Sequence, residues 1–187
     1  MLLKVKIVRN LHLKTVEMYE STLVIKKEVK ENYTKQFVSL GELFIADEPT
    51  HIWTVLGSCV SVILRDPRKK ISAVCHAQLT EKGVMDNEAK YQAAEKDDFR
   101  YVACAINYML DQMLSRGIKK NELQASIFGG ASVISGFSHR VGEENANAAC
   151  KVIENLGIRI VEKNIGGGKS RTIRHYTDSG FTHVKVL

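Results

Sequence analysis

The chain has 187 residues, of which 44% are hydrophobic, and a formal net charge of +6. That length suits one compact domain with a sizeable core, while 13 glycines and two prolines exclude a fibrous or disordered chain. No stretch approaches the roughly 18 apolar residues of a membrane span.

Residues 1 to about 38 alternate apolar and charged side chains, as in Lys4-Val5-Lys6-Ile7 and Leu23-Val24-Ile25-Lys26-Lys27. They read as one or two exposed strands forming an N-terminal extension over 1–38, followed by a single domain over 39–187. Leu43-Phe44-Ile45-Ala46 is a strand ending in the acidic turn Asp47-Glu48-Pro49, and Thr54-Val55-Leu56 leads into Gly57-Ser58-Cys59. A hairpin follows: Val60, Val62 and Leu64 alternate with polar or opposite-face residues, as do Ile71, Ala73, Cys75 and Ala77 beyond the turn at Asp66-Pro67-Arg68-Lys69. Glu81 to Asp98 is polar and mixed in charge, a long loop, with Asp98 a cap for the next helix. In that helix Val102, Ala105, Ile106, Met109, Leu110 and Met113 recur at helical spacing, closed by Gly117. Ala125–Phe128 is a strand ending in Gly129-Gly130; a second helix covers about Glu143 to Leu156 and stops at Gly157. Ile158 to Val161 is a strand running into Gly166-Gly167-Gly168, and Arg171 to Val186 is a closing hairpin that turns at Asp178-Ser179-Gly180. Many strands with two helices indicate an α+β fold.

Folding the first hairpin between Pro67 and Arg68 sets Leu64 opposite Ile71, Val62 opposite Ala73 and Val60 opposite Cys75, one uniformly apolar face. The other face then carries Cys59 directly opposite His76, with Cβ atoms roughly 4.5–5.5 Å apart. A thiol and an imidazole held on rigid strands are the core of a cysteine nucleophile site. Cys75, Cys104 and Cys150 read as core, because cysteine is among the most buried residue types and these lack a histidine opposite. The four cysteines form no Cys-x-x-Cys pair and no zinc-like spacing, so free thiols in a reducing compartment are expected. Together with a start that places lysines where a signal peptide is apolar, this points to the cytoplasm. His12, His51, His139, His175 and His183 have no partner in the pattern and read as surface or hydrogen-bonded residues.

Two other signals lead nowhere. Gly168-Lys169-Ser170 resembles the end of a phosphate loop, but Lys163 stands where that motif needs glycine, and a strand follows in place of a helix. The lysines and arginines are scattered and never interleave with aromatics, which argues against nucleic acid and for a solvated basic surface that meets an acidic protein.

The ordered set Leu56-Gly57-Ser58-Cys59-Val60, His76, Phe99-Arg100-Tyr101, Phe128-Gly129-Gly130-Ala131-Ser132, Val141-Gly142-Glu143-Glu144-Asn145, and Gly166-Gly167 with Arg171 resembles the chemoreceptor glutamine deamidases of bacterial chemotaxis, the CheD family. The likeness runs from about Gly41 to Lys185. Residues 1–38 have no counterpart in it, and Asn164 stands where many members carry an acidic residue.

The resemblance implies a β-sandwich-like mixed sheet core with two main helices packed against it, similar to toxin deamidase domains. It also implies hydrolysis of glutamine side-chain amides on methyl-accepting chemotaxis receptors, with release of ammonia. Carried over, Cys59 is the nucleophile, His76 the general base and Thr54 the third residue, with Thr50 as the alternative. Ser58, Gly129, Gly130, Gly166 and Gly167 fall near the substrate or the oxyanion. The chemistry needs neither metal nor cofactor. His76 is expected to hold Cys59 as a thiolate ion pair with a lowered pKa. The implied partners are the receptor cytoplasmic domain and a CheC-type phosphatase, with no membrane insertion. A non-catalytic module that docks a phosphatase or receptor is the alternative, and a cysteine protease or acyl transferase would use the same pair.

Overall fold

A computed structural model describes residues 33–78, 80, 99–132 and 139–187, together with the backbone of strands Lys4–Ile7 (β1), Lys14–Tyr19 (β2) and Thr22–Ile25 (β3). It divides into two compact units, Met1–Tyr33 and Thr34–Leu187. In the first unit β1, β2 and β3 form a three-stranded antiparallel sheet in that order.

The second unit holds nine strands and two α-helices among its described residues: Thr34–Phe37 (β4), Leu43–Ala46 (β5), Thr50–Leu56 (β6), Val60–Asp66 (β7), Ile71–Cys75 (β8), Val102–Ser115 (α1), Gln124–Gly129 (β9), His139–Asn155 (α2), Arg159–Ile165 (β10), Arg171–Tyr176 (β11) and Thr182–Val186 (β12). One sheet runs β10-β9-β7-β8-β5 and the other β12-β11-β6-β4. The β10–β9 and β4–β6 pairs are parallel and the remaining pairs antiparallel, so both sheets are mixed.

Alternation decides how these layers stack. Val60, Val62, Leu64, Ala73, Cys75 and Ala77 project from one face of the five-stranded sheet and pack on Val102, Ile106 and Met109 of α1 and on Ala146, Ala149 and Ile153 of α2. The opposite face presents Ile63, Val74 and Phe128 to Ile52, Leu56 and Ile173 of the four-stranded sheet. The fold is therefore α+β: two facing sheets, with both helices on the outer face of the larger one. β7 is covered on both faces, which explains a run that is almost continuously buried. Among the described residues, no helix is long and apolar enough to cross a membrane.

Several local expectations shift. The β7–β8 hairpin keeps its predicted faces but not its register: Asp66 pairs with Ile71, Leu64 with Ala73 and Val60 with Ala77. Asp66 stays in the strand, and its Oδ1 accepts the amides of Arg68 at 2.8 Å and Lys69 at 3.2 Å. Those amides are turned inward, Lys70 takes φ 59°, and pairing resumes only at Ile71. The loop is Pro67–Lys70, centred one residue later than expected, which slides β8 by two positions and leaves every side chain on its face. Helix α1 starts from Tyr101 without a side-chain cap, in place of Asp98. Asp98 and the loop expected over Glu81–Asp98 lie outside the described residues. Helix α2 begins at His139, before the predicted Glu143, and β10 continues to Ile165, beyond Val161.

His175 is the most demanding polar group in the sandwich. It is 1% exposed, with Nδ1 3.0 Å from Thr182 Oγ1 and Nε2 3.0 Å from Ser72 Oγ. Burial, reinforced by the Arg65 charge, pulls its pKa from the ordinary 6.5 down to about 4. The unfolded chain therefore binds this proton more tightly, so stability is full above pH 6.5 and falls as pH drops toward 4. The difference corresponds to about 3 kcal/mol. Urea titrations across that window should show such a loss in the wild type and a flatter profile in His175→Gln; parallel profiles would contradict the assignment.

Candidate active site

Strand β6 alternates Thr50, Ile52, Thr54 and Leu56 toward the sandwich interior. Thr54 is a hydroxyl in an otherwise apolar stripe at that level, fully buried, and such a group requires partners. It has two: its Oγ1 donates to the Val38 carbonyl at 2.7 Å and lies 2.8 Å from His76 Nδ1.

His76 comes from the facing sheet, just beyond β8. Its backbone is held by His76 N–H to Glu42 O at 2.9 Å and by Gly41 N–H to His76 O at 2.8 Å. The hydroxyl has one proton and the Val38 carbonyl can only accept. With Thr54 donating to Val38, His76 Nδ1 must carry hydrogen and donate to Thr54 Oγ1. Nδ1 also lies 3.4 Å from the Val38 carbonyl, consistent with the same tautomer. Nε2 then carries the lone pair; it is buried and has no hydrogen-bond partner among the described residues. Thr50 lies at the far end of β6, bonded to the Glu48 carbonyl and to Thr177, away from His76.

Cys59 stands at the entrance to β7. The slipped register places Gln78 directly across from it, with Sγ 3.8 Å from Gln78 Oε1. His76 is thus the diagonal neighbour of Cys59 on the same face, not its direct partner as predicted. Diagonal pairs in a sheet remain within reach of an aromatic ring.

The turn that carries Cys59 is clamped from behind. Ala131 N–H donates to Gly57 O at 2.8 Å and Gly130 N–H to Cys59 O at 2.7 Å, while Asn145 Nδ2 donates to Ser58 O at 3.0 Å. Gly130 thus bonds the Cys59 backbone, and Gly129 lies close against the same carbonyl. Gly166 and Gly167 lie one step further back: Gly166 N–H reaches Gly129 O at 2.9 Å and Ser132 N–H reaches Gly167 O at 2.8 Å. The Arg171 guanidinium straps this loop, donating to Asn164 Oδ1 at 2.5 Å and to the Gly166 carbonyl.

Electrostatics here differ from the predicted ion pair. Burial raises the Cys59 thiol pKa, opposed by its own backbone N–H. Burial also lowers the His76 pKa, opposed by the Val38 carbonyl and the Glu42 charge. Both shifts favour a neutral thiol beside a neutral imidazole at rest. Cys75 is further from reactivity, fully buried and pushed up to about 12. None of the four cysteines is in a disulfide.

Two residues of this site escape a reading of the sequence. Gln78 is hidden by the predicted register. Asn145 leaves a trace, a polar side chain on the inward stripe of an amphipathic helix beside Ala146 and Ala149.

The model of the family described as CheD chemotactic sensory transduction matches residues 85–186. A Geobacter sulfurreducens protein named "Probable chemoreceptor glutamine deamidase CheD 2" is 35% identical over 153 residues, 81% of this chain and 89% of its own. A Maridesulfovibrio salexigens relative with the same designation, without the numeral, is 33% identical over 81% of this chain and 91% of its own. The Thermotoga maritima "Chemoreceptor glutamine deamidase CheD" is 28% identical, covering 82% of this chain and 92% of its own.

Proposed function

The chain belongs to the CheD family, and from that premise we propose that it is a protein-glutamine deamidase acting on chemoreceptors through Cys59 and His76. The observation that carries this reading is the Thr54–His76 contact of 2.8 Å, which directs the base nitrogen Nε2 away from the sheet-to-sheet bond. His76 Nε2 takes the thiol proton as Cys59 Sγ attacks the amide carbon of a receptor glutamine. The oxyanion is met by backbone N–H groups at Ser58 and Cys59, a contribution of about 2.7–4 kcal/mol per donor. His76 returns the proton to nitrogen, ammonia leaves, and a thioester remains. Water, deprotonated by His76, then cleaves the thioester to glutamate and restores the thiol. Gly129 and Gly130 brace the nucleophile, and Gly166 and Gly167 support that brace in turn.

In this reading residues 39–187 form the deamidase domain and residues 1–38 an extension, whose last residue, Val38, lends its carbonyl to Thr54. The site of action is the receptor's cytoplasmic domain, hence the cytoplasm, and a CheC-type phosphatase is the second partner. Mass spectrometry of a receptor cytoplasmic fragment incubated with the protein tests the activity. Glutamine-to-glutamate conversion at a few positions is expected. A fragment that binds and stays unmodified would favour the docking-module alternative, and backbone cleavage would favour a protease.

Thr54 acts through His76. Thr54→Val removes the acceptor that fixes the imidazole tautomer and should lower kcat on the order of 10-fold to 10²-fold with KM nearly unchanged. Thr54→Ser keeps the hydroxyl and should stay within about threefold of wild type. A loss in Thr54→Ser with Thr54→Val unimpaired would mean that the methyl packing matters, not the bond.

A further inference from the structure

The three successive carbonyls that lead into the nucleophile each have a donor: Gly57 from Ala131 N–H, Ser58 from Asn145 Nδ2 and Cys59 from Gly130 N–H. A trans peptide unit is planar, with its C=O and N–H pointing in opposite directions. Fixing a carbonyl therefore aims the next residue's amide. The Cys59–Val60 unit follows the rule: its carbonyl turns to the end of β9, and the Val60 amide turns the other way to reach Ala77 O at 2.8 Å. The Ser58–Cys59 unit has its carbonyl turned to α2, so the Cys59 amide turns away from the helix.

Two of these clamps are backbone N–H groups; the third is one side chain, 1% exposed. Packing of α2 on the turn does not need an amide there. Ala146, Ala149 and Ile153 supply apolar contact, and Gly142 lies so close that a Cβ would stand 2.6 Å from Ala131 O and 2.7 Å from Gly130 O. What the carboxamide adds is the direction of a single peptide unit.

We infer that Asn145 is a positioning residue, holding the Ser58–Cys59 peptide so that the Cys59 N–H is aimed as an oxyanion donor. This rests on the reading of Cys59 as nucleophile. A donor swung out of line weakens only states that carry charge on oxygen, and leaves the thiol and its base untouched.

The test uses a peptide aldehyde with –CHO in place of the glutamine carboxamide, which adds the Cys59 thiol reversibly and puts its oxygen where the oxyanion forms. Calorimetry should show aldehyde affinity about 10-fold to 10²-fold weaker in Asn145→Ala. Alkylation of Cys59 by iodoacetamide, which makes no oxyanion, should stay within about threefold of wild type. Asn145→Asp keeps the shape and guards against a folding defect. Its affinity relative to wild type should recover as pH falls, because a protonated carboxyl donates to Ser58 O while a carboxylate does not. Unchanged aldehyde affinity, alkylation that declines in step with it, or a wild type that fails to bind the aldehyde would each overturn the inference. Aldehyde binding that depends on Asn145, in a protein that leaves the receptor fragment unmodified, would overturn the receptor reading alone.

Discussion

Cys59→Ala is expected to abolish measurable deamidation, and His76→Ala to lower kcat by about 10³-fold or more. The double variant should be no worse than Cys59→Ala alone. The imidazole's contribution consists of taking a proton from this sulfur and returning it to nitrogen, so without the sulfur it has nothing to contribute. Independent contributions would multiply instead, and a double variant far below either single one would separate the two residues chemically. The pH profile gives a second reading of the same pair. His76 must be neutral to accept, and burial lowers its pKa below the ordinary 6.5. The acid limb of kcat/KM should therefore lie below pH 6.5, and the rate should hold through neutrality. A limb above pH 6.5 would mean that a group other than His76 is titrating. Alkylation of Cys59 should rise with pH well beyond neutrality, because its thiol is raised by burial and not depressed by a standing ion pair.

The parts of this site that are legible in the sequence are those governed by alternation. Apolar residues at every second position of β7 and β8 place Cys59 and His76 on one face however the turn closes, provided the slip is even. Thr54 is legible only through the family resemblance, because Trp53 and Val55 make the outward face of β6 as apolar in sequence as the inward one. Register is not legible, because Asp66-Pro67 suits more than one loop, and the choice is made by which amides the Asp66 carboxylate accepts. The end of β10 is hidden for another reason. Glu162, Lys163 and Asn164 have no strand pattern and are extended by backbone pairing with Ser126, Ile127 and Phe128. Nor can pattern reveal the charge state of the pair, since the direction of both shifts follows from burial between two sheets that are distant in the chain. Strand β4 pairs parallel with β6, and its extension Val38 supplies the carbonyl that orients Thr54. That contact joins a segment whose pattern reads as part of the extension to the centre of the site.

Gly129→Ala should be the most damaging of the small substitutions. Gly129 ends β9 opposite Val60 at φ 102°, a conformation that L side chains rarely adopt, at a cost of about 1–3 kcal/mol. A Cβ there would collide with the Cys59 carbonyl oxygen and stand 3.1 Å from Val60 Cα, both backbone atoms beside the candidate thiol. Overpacking of this kind typically adds about 1–3 kcal/mol when neighbours cannot move. Together these predict about 3 kcal/mol or more, a fall in Tm of roughly 6–12 °C for a chain of this size. The displaced carbonyl would also surrender the Gly130 N–H bond, so thiol alkylation and turnover should both fall. Gly166→Ala separates strain from collision. Its φ is 75°, yet a Cβ there meets nothing within 4 Å. It should cost only about 1–2 kcal/mol and leave Cys59 alkylation unchanged. Calorimetric melts and alkylation rates for the two variants decide the matter. If Gly129→Ala melts with Gly166→Ala and keeps its thiol reactivity, the β9 end does not brace the nucleophile. If it alone loses both, close backbone contact behind Cys59 is what holds the sulfur in place.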